Sequence, residues 1–509
     1  MSVAVTEMPG ALAEVGSGST PSQRTARLSL FVLVGAIVLG SLLRLAYLGR
    51  LSLWLDEAFS VNTAAAPGWA EFWQIVSVEV NMAAYYALLR LWLIVGDSEF
   101  WVRTLSVVAA VVTLIPLYVL GKRLLGVRVA LLAAALLAVN AFHIRYAQEA
   151  RGYTLAVLMI TLSSLAFVWL VENSSARAWA FYALTSFLAV YTQLFSILVL
   201  IAHWLSLALL PRREVPWRRM LWGAVLLAFL SVPIGVWLLR GMAGDLSWIE
   251  RPSLYDLARF FYAASGGAAA VVEAGQEHLL GRVARRLLLL AYLLPAGVGA
   301  VRVALRHRWQ PTRERWHFGF VVLWLVVPIG VAFAVSFEQP IFEPRYLLVT
   351  LPPLCLLAAA GLSLIRPRWL FAAAVVVVLG LGLYGTRTYY TFAVKDDWRG
   401  ATGYILSKAT PRDGIIFHAH FTSWGFDYYT RRQGQQGPRR LRSEELAPGA
   451  DLPERVWLVL AYDWGKREET ARAIEASLRR VYSLSERREF EGIGPHPIRV
   501  SLYAGRPSP

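Results

Sequence analysis

Cysteine is almost missing from this chain: of 509 residues only Cys355 carries a thiol, and it lies inside an apolar block. No disulfide can close within the chain, and no thiolate metal site can be built. The single thiol reads as core filling. Charge is scarce as well, at 17% of residues, while 57% are hydrophobic. That balance excludes an intrinsically disordered chain and does not suit an ordinary soluble one. There is no phosphate-binding P-loop, no Rossmann glycine pattern and no convincing Ser/His/Asp arrangement. Acidic residues are the scarcer charge, 34 against 50 lysines and arginines, leaving a net charge of +16.

What is present is a series of long apolar blocks. Residues 28–49, 100–120, 154–171, 220–239, 287–303, 318–336, 346–364 and 369–386 are each about long enough to cross ~30 Å of hydrocarbon. Residues 127–142, 179–191 and 194–210 are shorter, and count as spans because the polar clusters between them must alternate sides. The pattern predicts a mainly α, polytopic membrane helix bundle of about eleven transmembrane helices. The surplus basic charge falls on every second connection: Lys122, Arg123 and Arg128, then Arg177, then Arg212, Arg213, Arg218 and Arg219, then residues 302–315, then Arg366 and Arg368. Only Glu172, Glu214 and Glu314 oppose it. This positive-inside asymmetry accounts for the net charge without a nucleic-acid partner. It puts the N-terminus in the cytoplasm and the C-terminal region outside.

Three regions follow. Residues 1–23, rich in Gly, Ser, Thr and Pro and without a cleavable signal pattern, read as a disordered cytoplasmic tail. Residues 24–386 form the membrane domain. Residues 387–509 read as a small extracytoplasmic α/β domain, with strands at 414–419, 456–461 and 498–504, a helix at 468–480 and a polar linker at 433–442. The first outer loop, 50–99, is too broken by charge to span, yet 85–95 is amphipathic and aromatic-rich, so helices lying in the interface are expected there. Residues 241–282, with Trp248, Tyr255, Phe260, Phe261 and Tyr262, read as a mobile, interface-seated loop.

The ionisable residues gather on the outer side. Asp56 and Glu57 follow the first span in WLDEAFS. A carboxylate beside Trp54 and Phe59 at the membrane surface is partly desolvated, which suits it to take a proton from a hydroxyl. The alternative is a solvated acidic pair at a helix start. The segment 143–153 packs His143, Arg145, Tyr146, Gln148, Glu149 and Arg151 between two spans. Arg145 and Glu149 can pair one helical turn apart, but the remaining polar groups at membrane depth call for a cavity and a polar ligand. Arg345 opens the late span in FEPRYLL, where a guanidinium either grips phosphate bidentately or snorkels to headgroups. His143 and Glu149 are metal-type ligands, but two ligands define no site, so a divalent metal is left open. Asp396, Asp397, Trp398 and Arg399 at the start of the soluble domain receive no chemistry.

These stretches carry a resemblance. LRLAYLGRLSLWLDEAFS (43–60), NMAAYYALLRLW (81–92), FWVRTLSVVAAVVTLIPLYVLGKRL (100–124), HIRYAQEARGYTL (143–155) and FEPRYLLVTLPPL (342–354) occur in the order found in type C glycosyltransferases. The sequence resembles in particular the bacterial members of glycosyltransferase family 39 and the related mannosyl- and aminoarabinosyl-transferases. The resemblance implies a polyprenyl-phosphate monosaccharide donor bound at the outer face of the cytoplasmic membrane of a bacterium. The sugar passes, with inversion, to a hydroxyl of a lipid, glycan or protein acceptor. It further implies Asp56 as general base, Glu57 as its structural or acceptor-orienting neighbour, and phosphate contact by Arg151 and by Arg345 with Tyr346. The chain departs from the family where many members carry His-Pro-Pro before the paired tyrosines: here Asn81-Met82-Ala83-Ala84 precede Tyr85-Tyr86, leaving Glu79 or Asn81 as substitutes. A transporter or flippase of lipid-linked sugars is the alternative function, but it would need polar residues through the midplane and paired broken helices. A non-catalytic scaffold is the third reading.

Overall fold

The computed structural model describes residues 23–79, 81–211, 215, 217–239, 249–267, 279–306, 312–442, 445, 452–463, 466–492 and 497–505. Helix α1 (Gln23–Leu45) leads into three ten-residue helices, α2 (Leu55–Ala64), α3 (Trp69–Val78) and α4 (Ala83–Trp92). A ten-residue helix rises ~15 Å, half the thickness of a bilayer core, so none of the three can span. They lie where the sequence leads one to expect interfacial helices, in the loop after the first span. Next come α5 (Glu99–Val112), α6 (Leu114–Leu125), α7 (Val127–Ala138), α8 (Ala141–Ala147) and α9 (Tyr153–Asn173). Helices α10 (Ala176–Thr192), α11 (Ser196–Ser206), α12 (Trp217–Leu239) and α13 (Leu254–Ala264) follow. The bundle closes with α14 (Leu279–Arg306), α15 (Arg313–Val335), α16 (Leu351–Leu362, behind a 3-10 turn at Pro344–Thr350) and α17 (Arg368–Phe392).

Among the described residues seven helices are long and apolar enough to cross a membrane, or eight if the bent pair α7–α8 is one span. The expected count of about eleven is therefore not met on this test. The 17-residue α10 and the short α11 occupy two of the remaining expected positions but fall below the length of a full crossing. The bundle turns apolar side chains outward, as Phe31, Phe229, Leu294 and Val376 do, where a soluble protein would place polar ones. The last helix runs past residue 386 to Phe392. Trp248 and much of the expected loop at 241–282 lie outside the described residues, and α13 occupies its middle.

The break between α7 and α8, a bend of 58°, shapes one end of the bundle. Backbone groups freed in a broken helix must find partners when buried in a membrane protein. Here Asn140 caps α8 by accepting the His143 N–H at 2.9 Å, and its side-chain amide donates to the Ala264 carbonyl at 2.8 Å. The fully buried Arg44 of α1 donates to the carbonyls of Leu137 (3.0 Å) and Ala138 (2.9 Å). Thr386 donates to Val139 O at 3.1 Å.

The C-terminal region is an α/β domain. Its elements are α18 (Trp398–Lys408), β1 (Gly414–Phe417), α19 (Ser423–Gln433), β2 (Arg439–Arg440), β3 (Arg455–Leu460), α20 (Lys466–Val481), β4 (Ser483–Phe490) and β5 (Ile498–Ala504). The sheet order is β2-β1-β3-β5-β4, with β1 parallel to β2 and β3 and the β3–β5 and β5–β4 pairs antiparallel. Ile416, Val456, Leu458 and Leu460 pack on Ala471, Ile474 and Leu478 of α20. Ile415, Trp457 and Val459 point to the other face, with Tyr404 and Ile405 of α18. Both faces are covered, so β1 and β3 read as unbroken apolar runs. The expected linker at 433–442 is largely irregular chain, running from the end of α19 through a turn at Gly434 and taking in the short edge strand β2. The domain sits on the 50–99 segment: Asn62 donates to the Trp424 carbonyl at 2.9 Å, Tyr428 donates to Asp97 O at 2.7 Å, and Glu99 receives Arg399, Arg432 and Tyr429.

Candidate active site

The acidic pair at the start of α2 separates into two environments. Successive residues of the first turn point about 100° apart, and both carboxylates sit at the positive end of the helix. Glu57 turns inward and is fully buried. Its Oε1 accepts from Arg103 Nε at 2.7 Å and from the Ala150 N–H at 2.8 Å. Its Oε2 accepts from Arg103 Nη2 and Lys395 Nζ, each at 2.8 Å, and from the Trp54 N–H at 3.4 Å. Burial pushes this carboxyl upward, but Arg103 and Lys395 outweigh it and hold it at about 2. Burial and the adjacent Arg103 push the Lys395 ammonium down. Of the two roles expected for Glu57, structural or acceptor-orienting, full burial and these bonds fit the structural one: they tie it into a closed knot. It joins α2, α5, the 148–152 connection and the segment after α17.

Asp56 turns outward and keeps about a quarter of its side chain exposed (24%). Its Oδ2 lies 3.2 Å from Arg345 Nη1 and 3.8 Å from Arg151 Nη2, so three groups far apart in the chain converge. Arg151 is braced by Nη1 contacts to Ser60 Oγ (3.3 Å) and Tyr86 Oη (3.2 Å), while its carbonyl accepts from Ser106 at 3.0 Å. Its neighbour Gly152 lets the backbone come close: a Cβ there would stand 3.0 Å from the Thr192 carbonyl and 3.2 Å from Tyr85 Cβ. Arg345 also approaches Glu343 at 3.6 Å and lies against the rings of Trp54 and Tyr346, 5.8 and 5.6 Å from their centroids. Glu79 is half-buried nearby; burial raises its carboxyl, while the charge of Arg151 lowers it and that of Asp56 raises it. Two guanidiniums around one partly exposed carboxylate form a polar floor that can take an anionic oxygen group beside a proton acceptor.

The other residues singled out in 143–153 stand apart from this cluster. His143 Nδ1 accepts from Arg44 Nη2 at 2.8 Å, so the ring belongs to the helix break. Gln148 donates to the carbonyls of Arg44 (3.0 Å) and Ala46 (2.7 Å), closing the end of α1. Arg145 is half-buried against the Tyr146 ring, and Tyr146 stacks edge-on with Tyr153 at 5.1 Å. Glu149 is buried on the Lys395 side, where burial raises its carboxyl against the pull of Lys395 and Arg145. Asn81 accepts the Leu194 N–H at 3.3 Å, and Tyr346 packs 5.2 Å from Phe195. Among the described residues no three His, Cys, Asp or Glu side chains converge as a metal would require, and His143 and Glu149 are engaged in different surroundings.

Reasoning from sequence missed Arg44, Arg103, Lys395 and the second tyrosine, Tyr86. The two arginines carried a signal, since an ionised group inside an apolar span must be paired or functional. Lys395 carried none.

Residues 81–237 match the family model for dolichyl-phosphate-mannose-protein mannosyltransferases, a segment that includes Arg151. No curated protein matches the sequence. Among solved structures the chain is similar to ArnT from Cupriavidus metallidurans in the apo state, at 13% identity and a TM-score of 0.59, covering 95% of this chain and 98% of that one. ArnT bound to undecaprenyl phosphate aligns at 13% identity and a TM-score of 0.57, over 96% and 99% of the two chains. The Archaeoglobus fulgidus oligosaccharyltransferase, in complex with Zn and sulfate, aligns at 12% identity and a TM-score of 0.52, over 91% and 73%. The chain is thus a multi-pass membrane protein with the fold of ArnT, and its residues 81–237 match the family model for dolichyl-phosphate-mannose-protein mannosyltransferases.

Proposed function

We propose that this protein moves a monosaccharide from a polyprenyl-phosphate donor to an acceptor hydroxyl, with inversion, at the outer face of the cytoplasmic membrane. The observation that carries the reading is the convergence of Arg151 and Arg345 on Asp56 at 3.8 and 3.2 Å. In the resting site the two guanidiniums neutralise the carboxylate. A donor phosphate has the charge and the paired oxygens that guanidiniums bind best, so it competes for both. Once they turn to phosphate, Asp56 is left to accept the proton of an incoming hydroxyl, while the arginines stabilise the charge that grows on the departing phosphate. Base and leaving-group ligands thus share one ion cluster, and donor binding readies the base. Glu57, through its bonds to Arg103, Lys395 and Ala150 N–H, positions both Asp56 and Arg151, which are its sequence neighbour and the residue after its backbone partner.

The bound lipid phosphate in the similar ArnT structure supports this class of donor. Concentration of the ionisable groups at one end of the bundle supports chemistry over translocation. The test is transfer from a panel of radiolabelled polyprenyl-phosphate monosaccharides in membranes that contain the native acceptor. Consumption of one donor, dependent on this protein, is the expected result. If no donor is consumed, the transferase reading fails and a lipid-linked sugar flippase becomes the leading account.

A further inference from the structure

The α/β domain holds a polar cluster that the ion cluster around Asp56 does not use. Three strand ends meet at one edge of its sheet: β1 stops at Phe417, β3 stops at Leu460, and antiparallel β5 starts at Ile498. His418 and Asp463 follow the first two ends, and Arg499 begins the third. The carboxyl edge of parallel strands is where α/β sheets receive ligands. His418 and Asp463 are 7% and 2% exposed. Arg499 Nη2 pairs with Asp463 Oδ2. Beyond that pair, among the described residues, Asp463 Oδ1, Arg499 Nε and both ring nitrogens of His418 close no hydrogen bond. The imidazole only faces the Val459 carbonyl, and the charges of Asp463, Arg467 and Arg499 all act on it. Buried polar atoms are nearly always satisfied, so four unsatisfied ones at one sheet edge mark a place where a ligand supplies the partners.

Aromatic rings join this edge to the ion cluster. Tyr462, between His418's neighbour strand and Asp463, is held in the left-handed region at φ 59°, a cost for a residue with a large side chain. Its hydroxyl donates to Asp396, next to the Lys395 that grips Glu57. Its ring lies 6.3 Å from Phe421, which lies 6.2 Å from Trp424. Trp424 lies 4.5 Å from Phe59, and Phe59 lies 5.9 Å from Tyr86, which braces Arg151.

The chemistry of the edge narrows the ligand. The buried Asp463 carboxylate repels an anion, while Arg467 and Arg499 repel a cation. An apolar ligand leaves the open donors and acceptors unpaired. A neutral polyhydroxylated ligand satisfies carboxylate, imidazole and guanidinium together, and the apolar C–H faces of sugar rings suit aromatic surfaces. We propose that a neutral acceptor glycan binds along this aromatic line, one sugar held by His418, Asp463 and Arg499 and its terminal hydroxyl presented to Asp56. The proposal rests on the transferase reading and extends it to the acceptor, a glycan and not a protein side chain or lipid headgroup.

The test uses the full-length protein in detergent on a printed array of neutral mono- and oligosaccharides, with binding of undecaprenyl phosphate measured separately. Wild type retains a subset of glycans. The near-isosteric variants Asp463→Asn and His418→Gln lose retention at least tenfold, and both bind undecaprenyl phosphate as wild type does, which reports an intact fold. Absence of any retained neutral glycan on wild type overturns the proposal, as does equal retention by the two variants. Failure of wild type to bind the lipid phosphate with glycan retention intact counts against the transferase reading alone.

Discussion

Replacing Glu57 by Gln keeps the size of the side chain and removes its charge from the most enclosed ion pair of the site. Arg103 and Lys395, nearly buried at 2% and 9% side-chain exposure, are then left facing an amide. Two independent routes give the magnitude. Removing one partner of a buried pair costs about 3–5 kcal/mol. The fall of the Glu57 carboxyl from 4.5 to about 2 corresponds to about 3 kcal/mol favouring the ionised folded form. Because the folded value lies below the unfolded one, this contribution is full above pH 4.5 and fades as pH drops toward 2. Thermal unfolding of purified protein in detergent, followed across pH, is the assay. At neutral pH Glu57→Gln unfolds well below wild type, and the gap narrows between pH 4.5 and 2. Donor turnover also falls, since Asp56 and Arg151 lose their shared brace. A variant with wild-type unfolding temperature and turnover at neutral pH refutes the brace.

Arg345→Ala removes a charge-assisted contact to the donor phosphate, worth about 1.5–3 kcal/mol, and weakens undecaprenyl-phosphate binding about 10–100-fold in a direct titration; Arg345→Lys recovers only part, since one ammonium does not replace a guanidinium fork. Gly361 sits where a Cβ would stand 1.9 Å from the Pro295 carbonyl, so α14 and α16 touch backbone to backbone. Gly361→Ala forces the helices apart at about 1–3 kcal/mol, visible as a lower unfolding temperature, whereas Gly380→Ala, with nothing within 4 Å, leaves it unchanged.

Much of this architecture was legible because hydropathy is written locally. The long spans, the short helices of residues 50–99, strand β5 and helix α20 follow from the length and period of apolar residues. The misses have physical causes. Strand β4 (SLSERREF) is a charged sheet edge and shows no apolar alternation, and β2 is two arginines long. Helices α10 and α11 carry the apolar composition of spans without their length. In the site, Asp56 and the two arginines converge at one end of the bundle, as their shared place between spans in the charge pattern led one to expect. That Glu57 points inward depends on Arg103, 46 residues away, and Lys395, 338 away, contacts that no local pattern records. His143 and Gln148 looked like ligand-binding groups because dense polar residues at membrane depth need a reason. The reason proved to be the broken helix α7–α8 and the end of α1, whose carbonyls they and Arg44 serve.

The account stands or falls on Asp56 as the proton acceptor beside the donor phosphate. The direct measurement pairs transfer from the cognate radiolabelled polyprenyl-phosphate sugar with binding of that same donor, for wild type and Asp56→Asn. The asparagine is nearly the same shape but accepts no proton at this step, so transfer falls by a factor of about 10²–10⁴ while donor affinity holds or tightens, since Arg151 and Arg345 lose a competitor. Wild-type transfer by Asp56→Asn, or loss of donor binding that accounts for the whole fall, contradicts it.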